Sequence, residues 1–402
     1  MANTFKFGNG EWAVGKETAL AYNDENSNFK PLPFTFDRAS TATVVNKQGL
    51  IETVGVDEPR IDFLNNTKGH LLLEPSRQNK LSTSNDFNGS GWLISFLTVS
   101  ANQVISPDGT LNASKLEMTG DGSLRNQSEA FFNDGYAYSI FVKKGNSRYV
   151  TIRSAFFTQS FSCGFDLDTL TTEANGKIED YGNDWYRLSI TKNISGDADR
   201  GGFFYIYLPN SLGSTTSVSG NYVYFYGAQI EDGSYATSYI PTQGSAVTRS
   251  AETCNNAGNS NVFNDSEGVL YAEIFKELNQ STTTAIGFSV SSGRLKIYIT
   301  SSGKLEVQLT PSSGDSVNFY NNSIDLSIFN KVAFRYNSNG ENSLFLNGVK
   351  IATTTGVSFS PSTLNSLNFD FGNGSEDFYG NVKDIKVYNT ALTDAELIAL
   401  TS

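Results

Sequence analysis

Hydrophobic and polar residues alternate with a period of two in many stretches of this chain. The clearest stretches are residues 150–153, 295–300, 305–310 and 332–336. Because successive side chains of a β-strand point to opposite faces, this alternation is typical of antiparallel sheets with one buried and one solvated face. The pattern therefore predicts an all-β protein whose many short strands form sandwiches or barrels.

Local signals mark some of the turns and one helix. Asn347-Gly348 lies between two apolar triplets, which predicts a two-residue type I′ hairpin. Thr393 is followed three residues later by Glu396, and this capping box predicts a short C-terminal helix. We expect Leu397 and Leu400 of that helix to pack on the last sheet.

The chain divides into three segments. Residues 1–80 are proline-containing and irregular, which predicts an extended N-terminal segment. Residues 81–250 and 262–402 are strand-rich blocks, and the polar stretch between them has the composition of a linker. Each block is long enough for one sandwich. We therefore expect two antiparallel β-sandwich (jelly-roll) domains after an extended N-terminal segment.

Composition excludes several classes of function. The 402 residues include 29 basic and 41 acidic side chains, for a formal net charge of −12. Neither strand-rich block offers the basic stripe that a phosphate backbone requires, so we expect no nucleic-acid partner. The sequence has no apolar run of about 18 residues, so no membrane insertion is expected. The first residues lack a cationic start and an apolar stretch, so we expect no secretory signal.

Catalytic chemistry finds little support in the sequence. His70 is the only histidine, which excludes a multi-histidine zinc site, and its setting predicts a structural or surface role. Cys163 and Cys254 lack metal-binding spacing, and Cys163 is expected to pack as a small apolar residue. No nucleophile elbow or phosphate-binding loop occurs. We therefore assign no catalytic residue and no cofactor other than possible calcium.

The N-terminal segment carries a spaced motif. Its elements are R-x-S-x-A-T at residues 38–43, G-L-I-E at 49–52, P-R-x-D at 59–62 and L-L-x-E…R-x-N at 71–79. In this order they resemble a leader common in bacteriophage structural proteins. The resemblance spans residues 34–80 and implies that the N-terminal segment contacts other virion proteins.

The two strand-rich blocks carry motifs of their own. Residues 138–145, 185–189 and 226–242 resemble the jelly rolls of carbohydrate-binding modules. Residues 344–348, 378–389 and 392–396 resemble the laminin-G-like, concanavalin-A-like lectin sandwich. Together the resemblances imply a phage tail or head fibre protein that binds a host surface glycan without catalysis. They also imply a virion location, synthesis in the bacterial cytoplasm and a homo-oligomer, either trimer or dimer.

Two other functions stay open at this point. The sandwiches would serve only as spacers and oligomer contacts in a purely structural fibre or decoration protein. Alternatively, a polysaccharide lyase or hydrolase would use the lectin-like sandwich. Glycosidases use two facing carboxylates, but some pair among 41 acidic residues always lies close together, so the sequence contains no specific signal for such a pair. Exposed aromatic residues on a groove favour glycan binding, whereas aromatic residues buried at subunit contacts favour the structural role.

Candidate site residues follow from the needs of sugar recognition, in which aromatic rings stack on sugar rings and polar groups bind hydroxyls. The candidates are Trp92, Tyr136, Phe156 and Phe157 in the middle block and Tyr320, Asn321 and Asn322 in the last block. Core packing is the alternative for Trp92. Phe156 and Phe157 are adjacent, which suggests a hairpin tip.

Two further predictions concern the virion and a metal. Trp12 is a candidate for anchoring the protein to the virion, with ordinary packing as the alternative, and deletion of residues 1–33 is expected to leave the sandwiches folded. Asp370, Glu376 and Asp377 are candidate calcium ligands, because hard cations prefer carboxylate and carbonyl oxygens. Solvated loop charge is the alternative for these three residues.

Overall fold

The structure, a computed structural model, is nearly all β. It describes residues 5–23, 30–89, 91–126, 130–133, 135–156, 160–194, 201–277, 280, 282–290, 294–310, 316–321, 324–355 and 364–402. Strands and one short helix make up the regular structure of this part of the chain. No helix among the described residues is long and apolar enough to cross a membrane.

The strands as far as residue 255 are β1 (Phe5–Gly8), β2 (Val14–Gly15), β3 (Thr18–Asn23), β4 (Lys30–Asp37), β5 (Ala42–Val45), β6 (Ile51–Val54), β7 (Arg60–Asp62), β8 (His70–Leu73), β9 (Arg77–Asn79), β10 (Trp92–Ile105), β11 (Leu111–Asn126), β12 (Ala130–Phe131), β13 (Gly135–Lys144), β14 (Tyr149–Phe156), β15 (Ser160–Asp166), β16 (Thr171–Thr172), β17 (Gly176–Asp180), β18 (Trp185–Asn193), β19 (Gly201–Tyr207), β20 (Tyr222–Asp232), β21 (Val247–Arg249) and β22 (Thr253–Asn255). The elements after them are β23 (Glu267–Phe275), β24 (Thr284–Val290), β25 (Arg294–Ile299), β26 (Leu305–Thr310), β27 (Val317–Asn321), β28 (Asn330–Asn337), β29 (Glu341–Leu346), β30 (Val349–Thr355), β31 (Leu364–Asn368), β32 (Gly380–Tyr388) and α1 (Asp394–Thr401).

The chain forms two compact units, each with a core of its own. The first unit contains Met1–Thr41, Val54–Pro75 and Ser250–Ser402, and the second contains Ala42–Thr53 and Ser76–Arg249. The prediction of an all-β sandwich fold is confirmed. The predicted domain boundaries need correction, because residues 1–80 divide between the two units instead of forming a segment of their own.

The first unit is a sandwich of two antiparallel sheets. The larger sheet has the order β22-β4-β3-β1-β32-β23-β28-β29-β30, with β2, β7 and β8 beside this path. The smaller sheet has the order β27-β26-β25-β24-β31. Alternate residues of β25 and β26, such as Ile297 and Val307, are buried in the core between the sheets. The period-two pattern of the sequence therefore reports this core correctly.

The N-terminal strands belong to this sandwich. β1 pairs with β32, and β4 pairs with β22. Phe5, Phe7, Phe34 and Phe36 from these strands are all buried in the core. Burial of one such side chain contributes about 1.5–3 kcal/mol to stability. We therefore correct the prediction that residues 1–33 are dispensable for folding, because their removal would take away two core phenylalanines and the strands that carry them.

The charged residues of the N-terminal motif meet inside the first unit. Arg38 Nη1 lies 2.8 Å from Glu252 Oε1, and Arg60 Nη2 lies 2.8 Å from Glu74 Oε2. Arg60 also bonds Glu252, and all four side chains are buried. Burial alone lowers the pKa of Arg60, but the two carboxylates outweigh it and hold the pKa above its ordinary value. These motif residues are therefore explained by a buried ionic cluster within the fold.

Both local predictions are confirmed. Asn347 and Gly348 have φ values of 47° and 80°, as a type I′ hairpin requires, and they join β29 to β30. Helix α1 begins after Thr393, whose side chain accepts a hydrogen bond from the Glu396 amide in a complete capping box. Leu397 is buried in a second, smaller core on the larger sheet, together with Phe345.

The single histidine and both cysteines are buried. Burial, helped by the charge of Lys383, lowers the pKa of His70 to about 3, so this ring is neutral at physiological pH. Cys163 and Cys254 are free thiols. Cys163 packs in the core of the second unit, as expected for a small apolar side chain.

The second unit is built around one large antiparallel sheet. Its order is β16-β15-β14-β19-β11-β20-β13-β18-β17, with β10 beside β11 and β12 beside β19. Two small sheets, β5-β6 and β21-β9, accompany it. Phe204 of β19 and Phe225 of β20 are both fully buried in a core cluster of this unit.

The motif at residues 226–242 forms a buried polar cluster. Gln229 Nε2 donates to Glu231 Oε1 over 2.7 Å, and Thr237 Oγ1 donates to Glu231 Oε2 over 2.7 Å. The Ile240 amide donates to Gln229 Oε1 over 2.6 Å. Since buried polar groups require partners, these residues fix the chain between β20 and β21 and have a structural role.

Candidate functional site

Strand β19 carries aromatic rings on both of its faces. Phe204 and Ile206 point into the core and are fully buried. Phe203, Tyr205 and Tyr207 occupy the alternate positions and are half-buried on the opposite face. The rings of Tyr205 and Tyr207 stack with centroids 6.1 Å apart and planes 14° from parallel. A run of large rings thus lies on the face of the strand that the core does not use.

The neighbouring strands place two arginines beside these rings. Arg125 of β11 is the cross-strand partner of Tyr205 on one side, and Arg153 of β14 is its partner on the other. Cross-strand partners in an antiparallel sheet share a face. With strands about 4.8 Å apart, the backbones of the two arginines are about 10 Å apart. We call this surface the arginine–tyrosine face, defined by Arg125, Arg153, Phe203, Tyr205 and Tyr207.

The register extends this face on both sides. Leu93 of β10 lies opposite Arg125, and Ser162 of β15 lies opposite Arg153. Phe131 of β12 pairs with Gly201 at the start of β19 and is 63% exposed. Strands β10, β11, β19, β14 and β15 therefore contribute one continuous row of apolar, cationic, aromatic and hydroxyl side chains, with Phe131 of β12 beside it.

Neither arginine is neutralised within the described residues. The Arg125 guanidinium carbon lies 4.4 Å from the Phe203 ring centroid, and Nη1 donates to the Asn126 carbonyl over 3.4 Å. Arg153 Nη2 donates to Ser160 Oγ over 3.3 Å. No carboxylate of the described chain forms an ion pair with either one, whereas Arg148 of the same unit lies 2.6 Å from Asp166.

This arrangement has the components of a polar-ligand site. Half-exposed rings offer flat apolar surfaces, and guanidinium groups offer several fixed N–H donors that stay charged at every physiological pH. The cation–π contact with Phe203 holds Arg125 over the sheet. The five residues that define the face are two arginines and three aromatic residues, which offer N–H donors and ring surfaces to a ligand.

Trp92 and Tyr136, predicted to contact sugars, lie elsewhere. Trp92 is 5% exposed, and its Nε1 donates to the Thr83 carbonyl over 3.0 Å. Tyr136 is fully buried beside Phe204, with its hydroxyl 2.6 Å from Ser154 Oγ. Burial raises the pKa of Tyr136 to about 12. Both assignments are corrected, because rings enclosed in the core have no free face for a sugar.

The predicted aromatic pair at residues 156 and 157 falls at the edge of the described chain. The backbone of Phe156 pairs with Gly202 at the end of β14, which places it beside β19. Phe157 lies outside the described residues, so its assignment stays a prediction.

The candidates of the last block lie on the smaller sheet of the first unit. Tyr320 of β27 is 52% exposed, and the Lys304 ammonium lies 4.1 Å from its ring centroid. Lys304 also lies 2.8 Å from Glu306, so this cation is already neutralised. Asn321 pairs with Leu305 in the sheet, and Asn322 lies outside the described residues. Tyr320 thus stays a candidate contact.

Two of the three predicted calcium ligands have hydrogen-bond partners within the protein. Asp370 is buried and accepts a hydrogen bond from the Gly372 amide, while Asp377 Oδ2 accepts one from the Tyr379 hydroxyl over 3.2 Å. Burial raises the pKa of both aspartates. Glu376 is exposed, and no metal-binding group of three or more His, Cys, Asp or Glu occurs in the described ranges. This donor set does not fit calcium.

Trp12, the predicted virion anchor, packs within the first unit. Its Nε1 donates to the Lys68 carbonyl over 2.7 Å, and its ring meets Phe7 edge-on with centroids 5.3 Å apart. The alternative of ordinary packing, stated with the prediction, is the one that the geometry favours.

Sequence reasoning missed the arginine–tyrosine face. The available signal was the run Phe203-Phe204-Tyr205-Ile206-Tyr207, in which rings fill the positions where alternation calls for polar residues. The arginines were not identifiable in this way, because their neighbours in the sheet lie 80 and 52 positions away in the sequence.

Comparison with known proteins identifies part of the first unit. A family model described as the concanavalin A-like lectin/glucanases superfamily matches residues 275–398. This match confirms the laminin-G-like, lectin-like resemblance of the last block. No curated protein matches the chain.

Several solved structures are similar to parts of the chain. The CBM40 domain of the Ruminococcus gnavus IT-sialidase, bound to α2,3-sialyllactose, is 22% identical over 36% of this chain and 86% of its own, with a TM-score of 0.31. Domain 4 of the Geobacillus stearothermophilus arabinanase AbnA is 16% identical over 42% and 83%, with a TM-score of 0.31. Mouse laminin α1 domains LG4-5 are 10% identical over 79% and 91%, with a TM-score of 0.26. The all-β chain thus contains a lectin-like domain at residues 275–398.

Proposed function

We propose that this protein binds glycans without catalysis, through the arginine–tyrosine face of its second unit. The observation that carries the proposal is the stacked, half-exposed pair Tyr205 and Tyr207 with an arginine on each side. The lectin-like match over residues 275–398 supports a carbohydrate-binding protein independently of this face.

The outward rings of β19 lie outside the core cluster of the second unit. Phe204 and Ile206 already fill the core beneath this strand. On a solvated face, alternation normally supplies polar residues, and exposed clusters of rings mark surfaces that contact a ligand or a partner. Flat rings beside fixed N–H donors are the combination that a sugar needs, since it has apolar C–H faces and a rim of hydroxyls.

A binding measurement with matched variants tests the proposal. The full chain is applied to an array of neutral and acidic bacterial and host glycans, and the strongest ligand is titrated by calorimetry. Tyr205→Ala is expected to weaken binding at least tenfold, because one stacking surface is lost. Tyr222→Ala, which removes a comparable half-buried tyrosine from β20, is the control and is expected to leave the affinity unchanged.

Two outcomes would contradict the proposal. Folded protein that binds no glycan on the array would exclude glycan recognition, and equal losses for Tyr205→Ala and Tyr222→Ala would move the site away from this face. The protein is also incubated with the bound polysaccharide. We expect neither new reducing ends nor unsaturated uronate, and release of either would favour the alternative of a lyase or hydrolase.

The proposal includes a biological setting, supported by the resemblance of residues 34–80 to phage structural leaders. In this setting the protein is a homo-oligomeric phage fibre component, located on the virion, whose glycan lies on the host surface. Light scattering of the purified chain should give a dimer or trimer. Labelled protein should bind host cells and lose binding after periodate treatment of their surface sugars, whereas periodate-resistant binding would favour a protein receptor.

A further inference from the structure

We propose that the sugar recognised at the arginine–tyrosine face is acidic and that Arg125 and Arg153 bind its carboxylate. This inference rests on the proposed function and narrows it to a substrate class. The observation behind it is that two arginines share one row of the sheet with Tyr205 between them, and neither has a carboxylate partner in the described chain.

Several other surface cations of this unit are paired with a carboxylate. Lys115 lies 2.6 Å from Glu117, Lys143 lies 3.4 Å from Asp184, and Arg148 lies 2.6 Å from Asp166. The chain as a whole carries a net charge of −12, so acidic residues are abundant. Two cations left unneutralised side by side in such a protein form a local site for an anion.

The residue type and the spacing favour a carboxylate on a sugar ring. A guanidinium presents a planar fork of N–H donors that matches the two oxygens of a carboxylate. The arginines lie on either side of a stacked tyrosine, so a ring lying on Tyr205 brings its substituents within reach of both side chains. Arg125 is already held against Phe203, which reduces the conformational entropy lost on binding.

The experiment compares acidic sugars with their neutral counterparts on the full chain. Hexagalacturonate, hexaguluronate and sialyllactose are each measured beside the carboxyl-reduced form, within an array that also holds sulfated and neutral glycans. The acidic form of the best ligand is expected to bind at least tenfold more tightly than its reduced form, and the difference should shrink between 50 and 300 mM salt.

The variants assign the effect to the two arginines. Arg125→Gln and Arg153→Gln are each expected to weaken binding of the acidic form at least tenfold more than binding of the reduced form, so that the preference for the acidic form is lost. Arg148→Gln, whose arginine is paired with Asp166, is the matched control and should keep the preference. Circular dichroism and the urea midpoint establish that each variant is folded.

The possible results separate this inference from the proposed function. Tight binding of neutral glycans that depends on Tyr205 but not on the arginines would overturn the acidic ligand and leave glycan binding intact. Exclusive binding of sulfated glycans would also overturn the carboxylate. Absence of all glycan binding would overturn both, and arginine variants that change only the oligomeric state would show that the face binds a second copy of the chain.

Discussion

Two tyrosine pairs in the second unit begin from the same sequence pattern and end in different surroundings. Tyr205 and Tyr207 alternate with buried Ile206 on β19, and Tyr222 and Tyr224 alternate with buried Val223 on β20. The first pair stacks with planes 14° apart. The second pair meets edge-on at 82°. Local alternation therefore places tyrosines on a face without deciding how their rings meet.

The cations beside the two pairs differ more than the rings do. Lys115 lies 4.1 Å from the Tyr222 centroid, and the carboxylate of Glu117 on the same strand neutralises it. Arg125 and Arg153 flank Tyr205 without any such partner in the described chain. Within the described residues, the cation beside β20 is therefore paired with a carboxylate, whereas the two arginines beside β19 are not.

The largest effect is expected on stability, from substitutions in the core beneath the two tyrosine pairs. There β19 and β20 each bury one phenylalanine. Phe204→Ala and Phe225→Ala each remove a fully buried ring, and each should lower the free energy of unfolding of the second unit by about 3–5 kcal/mol. Urea unfolding monitored by fluorescence measures both values. A difference of more than about 2 kcal/mol would mean that the strands already differ in the core.

The next largest effect concerns how stability depends on alkaline pH, through the buried hydroxyl of Tyr136. The folded protein keeps the Tyr136 proton up to about pH 12, whereas the unfolded chain loses it near pH 10. In that range the unfolded state binds fewer protons, so stability falls as the pH rises, by about 1.4 kcal/mol per unit for this group. Tyr136→Phe should remove about 2–3 kcal/mol of the loss between pH 9 and pH 12.

The same variant should behave differently at neutral pH. There it is expected to cost about 1 kcal/mol, because the buried Ser154 hydroxyl loses one of its two hydrogen-bond partners and keeps the Phe161 carbonyl. Other tyrosines contribute equally to the wild type and to the variant. Identical alkaline slopes for the two proteins would show that this phenol titrates normally.

A third prediction separates the two faces by binding. Tyr207→Ala should weaken the affinity for the best array ligand about tenfold, which corresponds to about 1.4 kcal/mol, whereas Tyr224→Ala should not change it. Calorimetric titration of the two variants provides the comparison. An equal loss for both would make the two tyrosine pairs functionally alike.

A fourth prediction concerns a variant in which a cation beside β19 gains a carboxylate partner, as Lys115 beside β20 already has in Glu117. Ser162 lies directly opposite Arg153, so Ser162→Asp supplies the carboxylate that this arginine lacks. The new pair should weaken binding of an acidic sugar about threefold to tenfold and leave the urea midpoint nearly unchanged. Ser162→Asn, which adds similar volume without charge, is the control and should retain most of the affinity.

The smallest effect on stability is expected when the cation beside β20 loses its carboxylate partner. Glu117→Gln frees Lys115 from its partner, and the free energy of unfolding should fall by less than about 1 kcal/mol, since exposed ion pairs contribute little. Unfolding at 20 and 300 mM salt measures the change and its screening. A loss above about 2 kcal/mol would show that this pair is important for the fold.

The sequence predicted the parts of the structure that depend on near neighbours. The type I′ turn at Asn347-Gly348 and the capping box of α1 require only residues within a few positions, and both are confirmed. The alternating pattern identified the buried side of strands such as β26 for the same reason. The lectin-like character of the last block was carried by short motifs around such elements and is confirmed over residues 275–398.

The predictions that failed depended on contacts between distant segments. The proline-containing residues 1–80 were expected to form a separate extended segment, yet Phe5 enters the core by pairing with Val387. Trp92 and Tyr136 are chemically suited to sugar stacking, but the strands that cover them belong to other parts of the chain. Burial is a property of the assembled sheet, and single residue types do not reveal it.

The sequence by itself determined an all-β protein with a lectin-like block, because side-chain periodicity and turn chemistry are local. Only the tertiary structure decided that Arg38, Arg60, Glu74 and Glu252 form a buried ionic cluster. It also decided that Arg125 and Arg153 flank Tyr205. Cross-strand neighbours are set by the pairing and register of strands far apart in the chain, and the position of a charge relative to a ring therefore appears only once the sheet has formed.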